Sequence, residues 1–138
     1  MAVFVRIMEV HPDGGPVVGD MANQLGARHP GSPRPPTGRA GVDITPDGQG
    51  LVQPCKRGMS LFRKGVQMPA HLTIDLTGAP GQLGKFEIAD DPYPTRDLSL
   101  HITNPDRGHA VMAPTVAMLV SLYQLALSQT RPQWSKSA

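Results

Sequence analysis

The sequence predicts an α+β fold, in which a small β-rich core is followed by a C-terminal amphipathic helix. Glycine and proline number 15 each among 138 residues, which excludes long helices from most of the chain. Short runs of β-branched and aromatic residues alternate with turn residues as far as residue 103. Beyond residue 114 the apolar residues recur at intervals of three and four, as they do on one face of a helix.

Length and composition limit the architecture to a single domain, residues 1–138, with a thin core. No apolar run is long enough to cross a bilayer, so no membrane association is expected. The N-terminal segment lacks the uninterrupted apolar stretch of a secretory signal, and any export is expected to be independent of one. The single cysteine, Cys55, excludes an internal disulfide and is typical of a reducing compartment such as the cytoplasm.

The expected strands lie between turn residues. Residues 2–10 are predicted to form the first strand, with Arg6 facing inward, and residues 17–28 to form one short helical turn. Further strands are expected at 42–44, 50–54, 60–62, 71–76, 84–89 and 97–103. Clean alternation of apolar and polar residues predicts that the core contains Leu72, Ile74, Leu76, Leu98, Leu100 and Ile102.

A helix is predicted over residues 115–129, preceded by Pro114 and ended before Pro132. It is expected to dock onto the sheet through an apolar face. That face is made of Val116, Leu119, Val120, Tyr123, Ala126 and Leu127.

None of the strong short catalytic motifs occurs, so function is expected to come from a dispersed site. The five histidines do not show the spacing of metal ligands, and no metal is expected. The net charge of +2 is spread along the chain without a block of like charges, which makes a nucleic-acid footprint weak.

Three segments carry chemistry that packing alone does not readily explain. Arg39 lies in GRAGVDI after a proline-rich loop, Ser60 begins a strand in GMSLF, and His109 opens GHAVMAP. Taken singly, each residue also fits an ordinary structural role: a solvated loop cation, a strand-edge hydroxyl and a partly buried imidazole.

Five short motifs, taken in order, carry a family resemblance. They are FVR with Arg6, RAGVDI from Arg39, GLVQP leading to GMSLF, His109 followed by Pro114 and Met118, and the final QW at 133–134. In this order the chain resembles the type VI secretion exported effector two toxins, small bacterial proteins with an ADP-ribosyltransferase-like fold. The match covers roughly half of the chain.

The sequence also departs from the pattern of that family. Arg39 is one residue further from Asp43 than the pattern has it, and Met59 stands where a hydroxyl residue precedes Ser60. Ala110 replaces the aromatic residue that commonly follows the histidine. A stacking role at position 110 therefore does not carry over.

The resemblance implies a split-sheet core and an antibacterial toxin that uses NAD to mono-ADP-ribosylate a cytoplasmic macromolecule. Arg39, Ser60 and His109 would be catalytic, and Arg6, Arg39, Gly58, Ser60 and His109 would bind NAD. A guanidinium fork suits the pyrophosphate, which makes Arg39 and Arg6 the candidates there. Ser60 and Gly58 would receive the nicotinamide end, and His109 would contact a ribose hydroxyl.

The same resemblance implies a cognate immunity protein in the producing cell and an acceptor of ADP-ribose that is either protein or nucleic acid. The free protein would be a monomer, cytoplasmic in the producing and the target cell. Many transferases of this fold use a glutamate, and the sequence leaves Glu9, Glu87 or Gln53 as polar candidates for that role.

Two other functions remain open from the residues alone. One is a small basic ribonuclease toxin, with His109 as general base and Arg39 steadying a phosphate. The other is a non-enzymatic binding module that uses the proline-rich loop at 30–38.

Overall fold

The computed structural model describes residues 3–21, 23–32, 43–54, 57–65, 76–89, 97–104 and 108–136. Its strands are β1 Val3–Glu9, β2 Leu51–Val52, β3 Met59–Arg63, β4 Leu83–Ala89, β5 Leu98–Asn104, β6 His109–Pro114, β7 Met118–Leu119 and β8 Ser135–Lys136. The helix α1 spans Val120–Gln129 and is followed by a short 3₁₀ turn at Arg131–Gln133.

The described part of the chain is a small, mostly β domain. Six strands form an antiparallel sheet in the order β5-β6-β3-β1-β4-β8, while β2 and β7 pair in a second, two-stranded sheet. No helix in the described ranges is both long and apolar enough to cross a membrane.

The two faces of the large sheet are packed unequally. One face shares a continuous apolar core with α1 and the C-terminal turn, including Met8, Phe86, Leu127 and Trp134. The other face carries a small cluster around Val5 and Ile7, which Phe62, Leu76 and Leu83 partly cover. Among the described residues, the second face therefore carries the smaller apolar cluster.

Tyr123 joins the helix to the middle of the sheet. Its side chain is fully buried, its hydroxyl donates to the carbonyl oxygen of Met112, and it accepts a hydrogen bond of 2.9 Å from the amide of Met59. Burial raises the pKa of the phenol well above its usual range, which keeps the hydroxyl protonated as a donor. One side chain thus satisfies backbone groups of both β3 and β6.

Most of the expected strands are confirmed. Those at 2–10, 50–54, 60–62, 84–89 and 97–103 appear as β1, β2, β3, β4 and β5, and Arg6 faces inward as expected. Most of the strand expected at 71–76, with Leu72 and Ile74, lies outside the described residues. Residues 43–44 of the strand expected at 42–44 are not in a strand, since their amides both donate to the carbonyl of Arg28.

The helical turn expected at 17–28 was wrong. The described residues of this segment form bends and a turn beside the end of β1, with Glu9 donating to the carbonyl of Asn23 and Val17 donating back to that of Glu9. Val18 and Leu25 form an isolated parallel bridge that closes the segment on itself. Pairing with the sheet therefore overrides the weak local helical preference.

The C-terminal helix is confirmed, but it begins at Val120 instead of residue 115. Met118 and Leu119 pair with β2, so a strand ladder takes the residues of the expected first turn. Tyr123, Ala126 and Leu127 are buried as expected, whereas Val116 and Leu119 are exposed. Ile102 is also 47% exposed, because it lies near a bulge in the edge strand β5.

Candidate functional site

The ladder between β1 and β3 is short. β1 pairs with β4 over seven residue pairs but with β3 over only two, Phe4 with Arg63 and Val5 with Phe62. Beyond Val5 the two central strands of the sheet are no longer joined to each other. We call this gap the β1–β3 opening.

Arg6 closes the inner end of the β1–β3 opening with its side chain. Its Nη1 donates to the carbonyl of Ser60 at 2.7 Å, and its Nη2 and Nε donate to the carbonyl of Gln24 at 2.8 and 3.2 Å. A longer contact of 3.5 Å reaches the carbonyl of Gly26. The guanidinium thus replaces missing ladder bonds and ties the 23–26 loop to both strands.

The environment of Arg6 is unusual for a cation. Its side chain is only 9% exposed, and burial lowers the pKa of the guanidinium to about 10, against the opposing effect of nearby Asp43. Arg6 therefore stays charged at neutral pH. Its donors are directed at backbone carbonyls, so a direct contact of Arg6 with NAD stays a prediction.

The Ser60 hydroxyl is hydrogen-bonded to the carboxylate of Asp43, which forms an ion pair with Arg28. The hydroxyl donates to Asp43 Oδ1 at 3.4 Å, and the Asp43 side chain is 3% exposed. Asp43 also accepts from the backbone amide of Arg28 at 2.8 Å and pairs with the Arg28 guanidinium at 3.4 Å. A buried carboxylate therefore fixes both a hydroxyl and a cation.

Arg28 is the accessible cation of this group. Its side chain is 32% exposed, and its Nη1 makes no hydrogen bond to any residue in the described ranges. The sequence analysis missed Arg28, because nothing in its local pattern marks it. Asp43, quoted only as part of a motif, is the residue that holds it.

His109 lies at the start of β6 and is half-buried. Its ring packs edge-on against Phe62, with ring centroids 5.5 Å apart, and its Nδ1 shares a short hydrogen bond with the hydroxyl of Thr103. Burial lowers the pKa of the imidazole, so the ring is neutral at neutral pH. Its Nε2 has no hydrogen-bond partner among the described residues and is the nitrogen open to a ligand.

Strand register brings Ser60 and His109 together. Ser60 is opposite Val111 and Phe62 is opposite His109, so the side chains of Ser60 and His109 point to the same face of the sheet, the one with the smaller cluster. They are diagonal neighbours on adjacent antiparallel strands, a relation that corresponds to a separation of about 7 Å. Two of the three predicted catalytic residues thus share one surface.

Glu87 also lies on this face, but far from His109. A single cross-strand row runs from His109 through Phe62 and Val5 to Glu87, which is three strand spacings, or about 14 Å. The Glu87 carboxylate is paired with Lys64 Nζ at 2.7 Å. Glu87 therefore cannot contact the same small group as His109.

The remaining sequence candidates lie elsewhere. The Gln53 side chain donates to Asp47 in the turn that precedes β2, in the second sheet. Glu9 lies at the C-terminal end of β1. Arg39 and the 33–42 segment are outside the described residues, so the predicted roles of Arg39 stay predictions.

The lack of a side chain at Gly58 lets the start of β3 lie close to β6 and α1. A Cβ at this position would lie 2.2 Å from the carbonyl oxygen of Met112 and 2.7 Å from the hydroxyl of Tyr123. Its absence lets β3 start directly against β6 and α1. The expected contact between Gly58 and NAD stays a prediction.

The geometry defines what the site can hold. It offers one exposed cation at Arg28, one neutral imidazole nitrogen at His109 and one hydroxyl at Ser60. In the described part of the chain, the carboxylate joined to Ser60 and Arg28 is that of Asp43, which is buried and paired. Such a set suits a ligand that carries both an anionic group and hydroxyl groups. Within the described ranges, no three His, Cys, Asp or Glu side chains are grouped as metal ligands would be.

Comparison with known proteins adds no relative. No family model and no curated protein matches this chain.

Proposed function

We propose that this protein is an NAD-dependent mono-ADP-ribosyltransferase, a toxin that modifies a macromolecule in the cytoplasm of a target cell. The observation that carries the proposal is the placement of Ser60 and His109 as diagonal neighbours beside the β1–β3 opening. Both residues come from the motifs that resemble the exported effector toxins. An ADP-ribosyltransferase-like split sheet would have its ligand at such an interruption between central strands.

The residues beside the opening fit the parts of NAD. Arg28 presents a partly exposed guanidinium whose Nη1 has no partner among the described residues, which suits a pyrophosphate oxygen. His109 Nε2 suits a ribose hydroxyl, and Ser60 has unused acceptor capacity for a carboxamide N–H. Arg39 would complete the grip on the pyrophosphate. In this scheme Arg6 is a positioning residue, because it holds the β3 backbone at Ser60.

NAD supplies a bond from ribose to a cationic nicotinamide, and breaking it moves the bonding electron pair to the departing ring. The chain's task is then to orient the reacting ribose. Asp43 fixes the Ser60 hydroxyl, the neutral imidazole of His109 accepts from a ribose hydroxyl at Nε2, and the proton of the attacking acceptor passes to water. Since Glu87 lies about 14 Å away, the mechanism assigns it no contact with that ribose.

The test measures nicotinamide release and label transfer. Purified protein is incubated with NAD labelled in the adenylate part and with target-cell lysate. The substitutions Ser60→Ala, His109→Gln and Arg28→Met are each expected to lower the rate at least about tenfold, since each removes a directed hydrogen bond or charge.

Matched controls separate the site from the rest of the fold. Ser128→Ala and His11→Gln change the same residue types in α1 and in an exposed turn, and are expected to keep full activity. Absence of NAD consumption by toxic protein would refute the transferase. RNA cleavage without NAD, lost in His109→Gln, would indicate the ribonuclease instead.

The rate of NAD consumption is expected to have an acid limb. Because burial holds the pKa of His109 below its ordinary value near 6.5, the imidazole is neutral at pH 7 and gains its proton only further into the acid range. Activity should therefore persist at pH 6.5 and fall at lower pH. The residual activity of His109→Gln should lack this limb. A limb unchanged in that variant would assign the titration to another group.

As a toxin of this kind, the protein would be exported by a contact-dependent system and neutralised by an immunity protein in the producing cell. It would act as a monomer, and its acceptor would be a protein or a nucleic acid. These partners follow from the sequence resemblance. Co-expression with a neighbouring gene product that abolishes toxicity tests the immunity protein.

A further inference from the structure

A second concave surface lies on another side of the domain, between the 18–29 segment and the first turns of α1. This groove has a volume of about 520 Å³, and we call it the α1 groove. Most of its surface is apolar, and neither Ser60 nor His109 belongs to it. The residues that form it are Val18, Gly19, Asp20, Leu25, His29, Val120, Ser121 and Gln124.

The walls of the α1 groove are held rigidly. The Gln124 side chain makes two hydrogen bonds with the backbone of Ala27, at 2.9 and 2.6 Å, which ties α1 to the loop. Within the loop, a Cβ on Gly26 would lie 2.0 Å from the carbonyl oxygen of Gly19. Backbone packed this closely leaves the shape of the groove little freedom.

One carboxylate lines this aliphatic surface. Asp20 Oδ2 accepts hydrogen bonds from His29 Nε2 at 3.1 Å and from the Ser32 hydroxyl at 3.2 Å. The backbone amide of Gly31 donates to His29 Nδ1, so the ring N–H that points at Asp20 is the one on Nε2. The orientation of Asp20 is therefore fixed by two donors.

These bonds use only one of the two carboxylate oxygens of Asp20 within the described residues. Its Oδ1 has no hydrogen-bond partner among the described residues, and no lysine or arginine in those ranges pairs with it. The nearest arginine in the sequence, Arg28, is committed to Asp43. An aliphatic groove with one free carboxylate oxygen is complementary to a cation on an apolar stem.

The number of Asp20 carboxylate oxygens without a partner in the described residues determines which kind of cation fits best. A guanidinium is bound best by a carboxylate that offers both oxygens side by side, whereas an ammonium is a point charge that needs one. Oδ2 is already occupied twice, so Asp20 suits an ammonium. The Ser121 hydroxyl, which has no partner in the described ranges, provides a second acceptor at the groove.

The N-terminus of α1 works against a cation, but weakly. The positive end of a helix dipole disfavours a nearby cation only slightly, and the effect is screened by salt. A hydrogen bond between charged groups is stronger than this effect. The attraction of the Asp20 carboxylate therefore outweighs the repulsion from the helix dipole, and the groove favours a cation.

We propose that the α1 groove binds a lysine side chain of a partner protein, with the ammonium on Asp20 Oδ1 and the stem against Val18, Leu25 and Val120. The groove is larger than one alkylammonium chain requires, and the exposed side chains of Val18 and Met21 extend its apolar surface. A lysine flanked by apolar residues fits this better than a free amine. Binding here does not require the proposed transferase activity.

The test is a titration of the ¹⁵N-labelled protein with acetyl-Leu-Lys-Leu-amide, followed by amide chemical shifts. Saturable shifts are expected at residues 18–20, 25, 29 and 120–124. The same peptide with norleucine in place of lysine is expected to bind at least about tenfold more weakly, because it lacks the charged hydrogen bond. The arginine peptide and cadaverine are each expected to bind more weakly than the lysine peptide.

Variants locate the ammonium. Asp20→Asn keeps an acceptor for His29 and Ser32 but removes the charge, and is expected to weaken binding about tenfold. Ser121 is exposed on α1. The substitution Ser121→Lys would therefore place a competing ammonium at the groove and abolish peptide binding without altering the 18–29 segment. Glu9→Gln is the matched control and should bind like the unaltered protein.

Three results would overturn the proposal. They are equal affinity for the lysine and norleucine peptides, unchanged affinity in both Asp20→Asn and Ser121→Lys, and shifts that map outside the groove. Binding of cadaverine as tight as that of the peptide would overturn the assignment to a protein lysine.

Discussion

Replacing Arg6 by methionine is expected to lower the free energy of unfolding by about 3–5 kcal/mol, since buried carbonyl acceptors lose a charged donor. The methionine side chain fills similar space but donates nothing, so the carbonyls of Ser60 and Gln24 lose their short bonds. Most domains of this size are stable by about 5–15 kcal/mol, so the loss is a large share of the total. Urea denaturation followed by circular dichroism measures it.

Arg63→Met is the matched control. Arg63 is on the neighbouring strand β3 with its side chain exposed, and its replacement is expected to change stability by less than about 0.5 kcal/mol. Arg6→Lys retains a charge but cannot reach both sides of the β1–β3 opening, and should fall between the two. Should Arg6→Met be no less stable than Arg63→Met, the guanidinium is not what joins the two strands.

Local patterns were sufficient to predict the strands that alternate. β4 and β5 show one apolar and one polar side in their own sequences. β1 is apolar on both sides, and its β-branched and aromatic residues are what predict it. β6 was missed because most of its residues are buried, which leaves a continuous apolar run without a period. Its position in the sheet, between β5 and β3, is what buries both faces.

The predicted start of α1 was wrong because of a tertiary contact. Met118 and Leu119 have a spacing that fits the helical face, yet they pair with Leu51 and Val52, which are more than sixty residues away in the chain. No local signal reports such a partner. The same holds for the 17–28 segment, whose bends are held by backbone bonds to Glu9.

The candidate site, too, was predictable from the sequence only in part. Motifs were enough to select Ser60 and His109, but only strand register makes them neighbours. Arg28 was missed because its usefulness depends on Asp43, fifteen residues away, which holds one side of its guanidinium and leaves the other free. Arg6 was correctly predicted to face inward, but its carbonyl partners have no sequence signature.

Gly58→Ala is expected to destabilise the domain by about 3 kcal/mol, because inserting a methyl group into a filled site forces backbone or side chains to move. The new methyl would overlap the carbonyl oxygen of Met112 and the hydroxyl of Tyr123. The carbonyl belongs to β6 and cannot turn away as a flexible side chain would. Thermal and urea unfolding measure the loss. Gly48→Ala is the control, since a Cβ there meets nothing within 4 Å. If both variants unfold alike, the close contact at Gly58 is not a constraint.

A double variant shows which contact limits Gly58. Tyr123→Phe alone is expected to cost about 1–3 kcal/mol, because it leaves the amide of Met59 and the carbonyl of Met112 without their partner. In Gly58→Ala/Tyr123→Phe the methyl no longer meets the hydroxyl, so the combined loss should be smaller than the sum by at least about 0.5 kcal/mol. Strict additivity would assign the whole obstacle to the Met112 carbonyl. In either case β3 starts at a position set by β6, and that position presents Ser60 beside His109.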